Sequence, residues 1–276
     1  MREEYKQLLP NWYNGLEVHD LVLSDDIDSL ASCTLLNIVK GWKVKYFYDF
    51  NTVYAIKEYK NQKKRNTKCW VDVATSKGHS FDNHLSRVTL WETWNTDMIN
   101  LNQMCEVTNE NYTDKYAGST LLTVWSVYDM PLPQTEKGKM ILLAIDCAYK
   151  GFYSPRFHDT QKHYLVDVLG FKELYEVIKR HTEDEFAEVV AEYGLRGKIA
   201  YDGKLSTNIP LEKISQELGI DIQLPTDEYY VAVRLEQYTF NVTSSHDFTD
   251  DISPDIKTLA FTYKDKAKYS KIKERR

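Results

Sequence analysis

The first eighty residues alternate between short apolar runs and one amphipathic stretch. Residues 17–24, EVHDLVLS, are rich in β-formers and end in turn residues, which predicts a strand. Residues 29–40, SLASCTLLNIVK, have apolar side chains at helical spacing, and Gly41 follows where a helix-terminating glycine belongs. KVKYFYDF and KCWVDVAT predict two further strands, with a tyrosine-containing helical linker and a basic turn between them. This order predicts an α/β fold with a mostly parallel sheet and flanking helices.

The second half of the chain is predicted to be helical at first and then β-rich. AGSTLLTVWSVYD and GKMILLAIDCAYKGFY are apolar on much of their circumference, which predicts two buried helices. Two more helices are expected around residues 164–181 and 183–193, and a short one at LEKISQELG. EYYVAVRLEQYTFNVTS and TLAFTYKDKAKYS alternate in polarity, as antiparallel strands do. The composition changes near residues 194–210, so we expect a first domain over 1–192 and a smaller α+β domain over 193–276.

Charge and cysteine content narrow the class of protein. A net charge of −6 over 276 residues argues against binding to long duplex nucleic acid, although residues 60–68 and 264–276 are locally basic. The four cysteines show no CxxC spacing, which fits a reducing compartment. The sequence shows neither a signal peptide nor a membrane-spanning run, so we expect a cytoplasmic protein without a membrane partner. Its oligomeric state stays open, a dimer included.

Carboxylates are concentrated just after the predicted strands. Asp25, Asp26 and Asp28 follow the first strand, and Asp72 lies near the end of the third. In an open parallel sheet such positions share one crevice, where closely spaced carboxylates need a cation between them. Asp146, within an apolar predicted helix, needs a partner for the same reason. Together with Asp82 and His84 they form a set of hard oxygen ligands plus one imidazole, which suits one or two Mn²⁺ or Mg²⁺ ions.

Four short motifs, in order, resemble those of the DHH phosphoesterase superfamily over residues 17–160. The first motif of that family, Asp-x-Asp followed by a serine, corresponds to Asp26, Asp28 and Ser32. The others correspond to Asp72 in VDVA, to Asp82-Asn83-His84 in place of Asp-His-His, and to Asp146 in IDCAYKGFY. The helix start AGST, residues 117–120, lies between the third and fourth motifs, as it does in the family.

The resemblance implies a fold and a two-ion site. It implies a parallel-sheet catalytic domain and a smaller substrate domain. In the site, Asp72 would bridge two divalent ions, with Asp26 on one side and Asp28 and Asp146 on the other. Such a pair of ions clamps phosphoryl oxygens and acidifies a water molecule. Asp72 and His84 would be the catalytic residues, with His84 facing the scissile phosphate.

Two positions depart from the family pattern. Val22 stands where the family has a histidine ligand, and Asn83 replaces the middle histidine of the third motif, so Asn83 would be a weaker metal ligand. One ion site would then be looser, filled by water or vacant. His79, His158 and a reoriented His84 are alternative ligands, and the sequence does not choose among them.

The substrate is expected to be a small nucleotide. Arg87 and Lys150 are candidates to bind phosphate oxygens, as are Lys77 and Arg156, and Ser245 and His246 are candidates to contact the substrate from residues 241–250. We expect hydrolysis of a phosphodiester bond in a short oligonucleotide or in a cyclic nucleotide or dinucleotide, because an acidic chain disfavours a long polymer. Two alternatives remain: a nucleotide 3′-phosphatase or pyrophosphatase, and a non-catalytic nucleotide-binding protein that has lost one metal site.

Overall fold

A computed structural model describes residues 1–87, 94–242 and 256–273. The chain divides into two compact units. The first comprises Met1–Leu9, Asp25–Trp42 and Tyr116–Thr226, and the second comprises Pro10–Ser24, Lys43–Lys115 and Asp227–Arg276. The expected boundary between residues 192 and 193 falls inside the first unit, which continues to Thr226.

The predicted α/β class is confirmed, and the sheet is mixed. Within the described residues there are eleven strands: β1 (His19–Leu23), β2 (Lys43–Tyr48), β3 (Thr52–Ile56), β4 (Thr67–Val71), β5 (His79–Phe81), β6 (Met98–Ile99), β7 (Ile199–Tyr201), β8 (Leu205–Thr207), β9 (Tyr229–Asn241), β10 (Ile256–Tyr263) and β11 (Lys266–Ile272). The second unit holds a nine-stranded sheet in the order β10-β11-β9-β3-β2-β1-β4-β5-β6, and β7 and β8 form a separate hairpin. Strands β2, β1, β4, β5 and β6 are parallel neighbours, whereas β3, β9, β11 and β10 pair antiparallel. The expectation of a mostly parallel sheet therefore holds for one half only.

The strand predicted at residues 17–24 is the centre of this sheet. Every residue of β1 is buried, and β2 and β4 pair with its two edges. Its last three residues, Leu21, Val22 and Leu23, are apolar, as is typical of parallel strands, whereas the buried Asp20 accepts hydrogen bonds from Tyr59 and Asn66.

The sheet of the second unit curls until β10 meets the chain that follows β4. Leu259 donates a backbone hydrogen bond to Ala74 (2.9 Å), and Ser76 donates one to Lys257 (3.0 Å). Thr75 and Thr258 form an antiparallel bridge between the same segments. Seven strands and residues 74–76 thus form a closed ring, in which strand edges are satisfied by pairing.

Helices make up most of the first unit. The described helices are α1 (Glu3–Lys6), α2 (Ile27–Lys40), α3 (Leu101–Met104, in the second unit), α4 (Thr120–Val127), α5 (Glu136–Ala144), α6 (Lys150–Tyr153), α7 (His158–Lys162), α8 (Lys172–Arg180), α9 (Glu183–Glu192) and α10 (Leu211–Leu218). The helix expected at residues 29–40 is confirmed as α2. It begins after Asp26, whose carboxylate accepts a hydrogen bond from the Ser29 backbone NH, and it ends at Gly41 in the left-handed conformation. Helix α2 packs on α4, and α5 packs on α8, α9 and α10.

Several local predictions were wrong. The linker after β2 is the strand β3 and a 3₁₀ turn, because the chain reverses and pairs back onto β2. The helix expected through GKMILLAIDCAYKGFY ends at Ala144, so Asp146 lies in the turn that follows and is half-buried. The prediction of antiparallel strands in TLAFTYKDKAKYS is confirmed, since this segment is the hairpin of β10 and β11, but through β9 these strands join the main sheet instead of forming a sheet of their own. In the part of the chain that the structure describes, no helix has both the length and the hydropathy needed to cross a bilayer.

Candidate metal centre

Three polar residues follow three neighbouring strands of the second unit in one row. Val71 at the end of β4 pairs with Phe81 at the end of β5, and Phe81 pairs with Ile99 at the end of β6. The next residue on each strand is Asp72, Asp82 and Asn100, respectively. Carboxyl ends of parallel strands meet at one edge, so the register alone brings these side chains together.

The backbone of Asp72 adopts an unusual conformation at this edge. Its φ is 60°, in the left-handed region that residues other than glycine rarely adopt, and its NH donates to the Phe81 carbonyl at 2.8 Å. Left-handed non-glycine residues store strain and are concentrated at functional sites. Asp72 is also buried.

Asp82 holds the turn that contains His84. Its carboxylate accepts hydrogen bonds from the His84 backbone NH (2.9 Å), from His84 Nδ1 (2.7 Å) and from Asn100 Nδ2 (2.7 Å). Because a carboxylate can only accept here, the neutral form of His84 carries its proton on Nδ1 and has its lone pair on Nε2. The Asp82 side chain is 0% exposed, whereas that of His84 is 39% exposed, so the pair extends from the interior to the surface.

The start of α3 fixes the same turn from the other side. Asn100 Nδ2 also donates to the His84 carbonyl (2.8 Å), while its Oδ1 caps α3 by accepting from the backbone of Asn102. Asn102 Nδ2 donates to the Asn83 carbonyl at 2.7 Å. These two asparagines hold the backbone of residues 82–84 in place, which limits how far the ligand side chains move.

Asp72, Asp82 and His84 together form a candidate site for a divalent cation. Each offers one ligand atom, and these atoms lie within 4.8 Å of one another. Two buried carboxylates so close together repel each other unless a cation or a proton lies between them. Hard oxygen ligands and one imidazole are the donors that Mn²⁺ or Mg²⁺ accepts, so the residues fit the expected ion.

Asp82 belonged to the set of hard oxygen ligands seen in the sequence, but the four-motif resemblance gave neither Asp82 nor His84 the role of a metal ligand. The family comparison directed attention to Asn83 and His84 of the third motif. The signal that identifies Asp82 is its position immediately after a strand, the same signal that identified Asp72.

The first unit contains a second acidic group at the start of two helices. Asp28, buried in the first turn of α2, accepts hydrogen bonds from the backbone NH groups of Thr120 (2.8 Å) and Leu121 (2.7 Å), the first two residues of α4. Helix N-termini favour negative charge, which explains how a buried carboxylate is held there. Burial, with the nearby charges of Asp26 and Asp146, raises the pKa of Asp28 to about 8.

Lys198 neutralises part of this acidic group. Its Nζ lies 2.9 Å from Asp25 Oδ1 and 3.2 Å from Asp26 Oδ2, and the backbones of Asp26 and Lys198 form an isolated bridge. Partial burial lowers the pKa of Lys198, but the two carboxylates raise it overall. Burial raises the pKa of Asp25 by more than the Lys198 ammonium lowers it. A metal ion at Asp26 would therefore compete with this ammonium.

The turn that contains Asp146 is held through its backbone. Arg196 donates to the carbonyls of Ile145 (2.9 Å) and Asp146 (2.6 Å), just past the end of α5. A guanidinium at this position caps a helix C-terminus and favours its dipole. The charge of Asp146 acts on Asp28, so the two carboxylates belong to one group.

The remaining predicted site residues differ in how far they are buried. Asn83 is buried in the turn between Asp82 and His84, and Arg87 is buried with its guanidinium 5.6 Å from the Trp94 ring. Lys150 is exposed at the start of α6. Ser245 and His246 lie outside the described residues.

The two alternative histidine ligands are already engaged in hydrogen bonds. His158 Nδ1 donates to the Phe152 carbonyl (2.7 Å), and Tyr175 Oη donates to its Nε2 (3.1 Å). His79 Nδ1 lies 2.6 Å from His19 Nε2, and its ring stacks on Trp12. His84 is therefore the histidine that the structure brings to the carboxylates.

Comparison of the chain with family models, with curated proteins and with solved structures finds no match. The resemblance to the DHH phosphoesterases accordingly depends on the four motifs alone.

Proposed function

We propose that the protein is a divalent-metal-dependent phosphoesterase that hydrolyses a phosphodiester bond in a short oligonucleotide or cyclic dinucleotide. The observation that carries the proposal is the grouping of Asp72, Asp82 and His84 at the ends of β4 and β5. The motif order supports a DHH-like arrangement, with Mn²⁺ or Mg²⁺ as the expected cofactor.

The ligand residues have distinct proposed roles. Asp72, Asp82 and His84 would hold the ion, with Asn83 as a further oxygen ligand. Asp82 would also orient His84, because its hydrogen bond to Nδ1 fixes the tautomer and the orientation of the ring. A divalent ion bound there supplies Lewis acidity toward a phosphoryl oxygen and lowers the pKa of water. The family resemblance gives His84 a different role, contact with the scissile phosphate. Because Nδ1 donates to Asp82, Nε2 can serve either the ion or the phosphate, but not both at once.

The acidic group of the first unit also has a proposed role. On the family resemblance, Asp26, Asp28 and Asp146 would be metal ligands in the same reaction. Phosphate-binding roles for Arg87 and Lys150 are proposed on the same basis. Variants in each unit test these assignments independently.

Manganese-dependent hydrolysis of bis-p-nitrophenyl phosphate tests the enzyme class. The wild-type chain should turn over this diester with Mn²⁺ and lose the activity in EDTA. Asp72→Asn should lose nearly all of it, whereas the exposed Asp97→Asn, in the same unit, should not. Full turnover by Asp72→Asn would reject the proposed centre.

The products of natural substrates distinguish the reaction types. The chain would be incubated with a dinucleotide, a cyclic dinucleotide and a nucleoside 3′,5′-bisphosphate, and the products identified by mass spectrometry. Cleavage of the first two supports the diesterase. Release of phosphate from the bisphosphate alone supports the 3′-phosphatase alternative.

A second candidate, a non-catalytic nucleotide-binding protein with one metal site lost, is favoured by one observation. Lys198 forms ion pairs with Asp25 and Asp26, so an internal cation already neutralises one predicted ligand. Tight nucleotide binding without turnover under any divalent metal would support this candidate over the enzyme.

A further inference from the structure

The closed ring of the second unit encloses a cavity of about 270 Å³. It is lined by residues from β3, β4, β9, β10 and β11 and from the segment after β4: Val53, Lys68, Trp70, Thr75, Ser76, Lys77, Val233, Leu235, Lys257 and Ile272. The lining does not include Asp72, Asp82 or His84, so the cavity is distinct from the candidate metal centre. Closed β-rings commonly hold a small ligand in this way.

Contacts across the ring show that this face points inward. Tyr48 of β2 hydrogen-bonds with Thr258, Ser270 and Gln237, which belong to β10, β11 and β9. Thr258 Oγ1 and Ser270 Oγ are 2.6 Å apart, and the Tyr48 ring packs edge-to-face on Trp70 at 5.5 Å. These side chains bond to one another across the ring, and they are joined to the cavity lining through Trp70.

Three lysines give the cavity its charge. Lys68 is half-buried, Lys257 is half-buried and Lys77 lies at the exposed rim. Among the described residues, none of the three forms a salt bridge with a carboxylate. Lys68 Nζ lies 4.7 Å from the centre of the Tyr46 ring, a cation–π contact. Burial and then the charge of Arg65 lower the pKa of Lys68, and Asp20 only partly opposes them.

The rest of the wall is apolar or aromatic. Val53, Leu235 and Ile272 contribute aliphatic surface, and Trp70 contributes an indole. A ligand that contacts both the lysines and the apolar wall has an anionic group, which binds the lysines, and an organic body, which packs on the wall. Lysine ammonium groups bind phosphate as point charges. Three ammonium groups match the charge of a phosphate dianion better than they match the single charge of a carboxylate.

We propose that this cavity binds a small organic phosphate, of mononucleotide size or smaller. The phosphate lies among Lys68, Lys77 and Lys257, and the organic body lies against Trp70 and Leu235. The proposal does not depend on the metal centre or on catalysis.

Titration with adenosine 5′-monophosphate, inorganic phosphate and adenosine in EDTA tests this site by isothermal calorimetry. The monophosphate should bind, inorganic phosphate should compete with it, and adenosine should bind at least about tenfold more weakly, because a charge-assisted contact changes affinity by roughly that factor. Ligand-dependent quenching of tryptophan fluorescence should disappear in Trp70→Phe. Absence of binding to the wild-type chain, or equal affinity for adenosine, would overturn the proposal.

Paired charge variants locate the site. The Lys77→Gln/Lys257→Gln double variant should weaken binding of the monophosphate by at least about tenfold. A Lys204→Gln/Lys213→Gln variant, which removes the same charge from exposed positions of the first unit, should bind like the wild type. Equal affinities of the two double variants would refute the assignment. Asp82→Asn should retain the affinity in EDTA, and its loss there would place the nucleotide at the metal centre instead.

Discussion

Replacement of Asp82 by asparagine separates the two contributions of this carboxylate. Asn has nearly the same shape, and its amide oxygen can keep the hydrogen bonds from His84 N and Asn100 Nδ2, which both reach Asp82 Oδ2. The amide NH₂ then faces His84 Nδ1, where Asp82 Oδ1 accepts at 2.7 Å in the wild type. The imidazole can restore this contact only by moving its proton from Nδ1 to Nε2.

The expected magnitudes follow from that exchange. The three hydrogen bonds to Asp82 lose their charge assistance, while the repulsion between Asp82 and Asp72 is relieved, so the free energy of unfolding in EDTA should fall by a net amount of about 1–2 kcal/mol. The effect on function should be larger, because a protonated Nε2 cannot ligate a metal. Loss of such an orienting partner typically costs on the order of 10- to 100-fold in metal affinity or activity.

Urea denaturation followed by circular dichroism in EDTA measures the first quantity, and Mn²⁺ titration by calorimetry measures the second. Asp97→Asn, at an exposed position of the same unit, is the matched control. Wild-type manganese affinity in Asp82→Asn would refute the role of Asp82 in orienting His84. A loss of stability above about 4 kcal/mol would mean that the three hydrogen bonds to Asp82 are lost together.

Three further variants test other parts of the structure. Asp72→Gly should raise the free energy of unfolding in EDTA by about 1 kcal/mol, because glycine adopts a φ of 60° without strain and a repelling carboxylate is removed. The same variant should lose manganese binding. A lower stability than the wild type in urea denaturation would contradict this. Lys198→Met should increase Mn²⁺ affinity in calorimetry if Asp26 is a ligand, whereas Lys198→Arg should not; equal affinities would exclude Asp26 from the ion site. Arg196→Gln should lower the free energy of unfolding, measured by thermal denaturation, by about 1–2 kcal/mol, because its two hydrogen bonds to backbone carbonyls are lost. The control is Arg156→Gln, at an exposed position, which should leave the midpoint of thermal unfolding unchanged.

The parts of the fold that could be predicted from sequence are those governed by local pattern. Helix α2 has its N-cap at Asp26 and its terminating glycine at Gly41 in the sequence itself. Asp72 was identified because it follows an apolar strand. The inclusion of β9–β11 in the main sheet could not be predicted, because it depends on the pairing of β9 with the distant β3. The strand β3 itself pairs with the adjacent β2, and the prediction of a helical linker missed this hairpin.

The residues that surround the predicted ligands could not be predicted from the sequence either. Lys198 lies far from Asp26 in the chain, and no local pattern links them. The interruption of the helix at Ala144 depends in part on Arg196, which is also distant. Apolar periodicity continues through this region, so it predicted a longer helix than the one that forms.

The pairing of Thr75 with Thr258 affects how the protein is made. A ribosome releases residues 74–76 long before it releases β10, so the β-ring cannot close while most of the chain is being synthesised. Until then the outer edge of this segment has unpaired NH and C=O groups, which are prone to join other β-strands. We therefore expect the protein to fold slowly, because many of its contacts join residues that are distant in the sequence. We also expect it to need chaperones during translation.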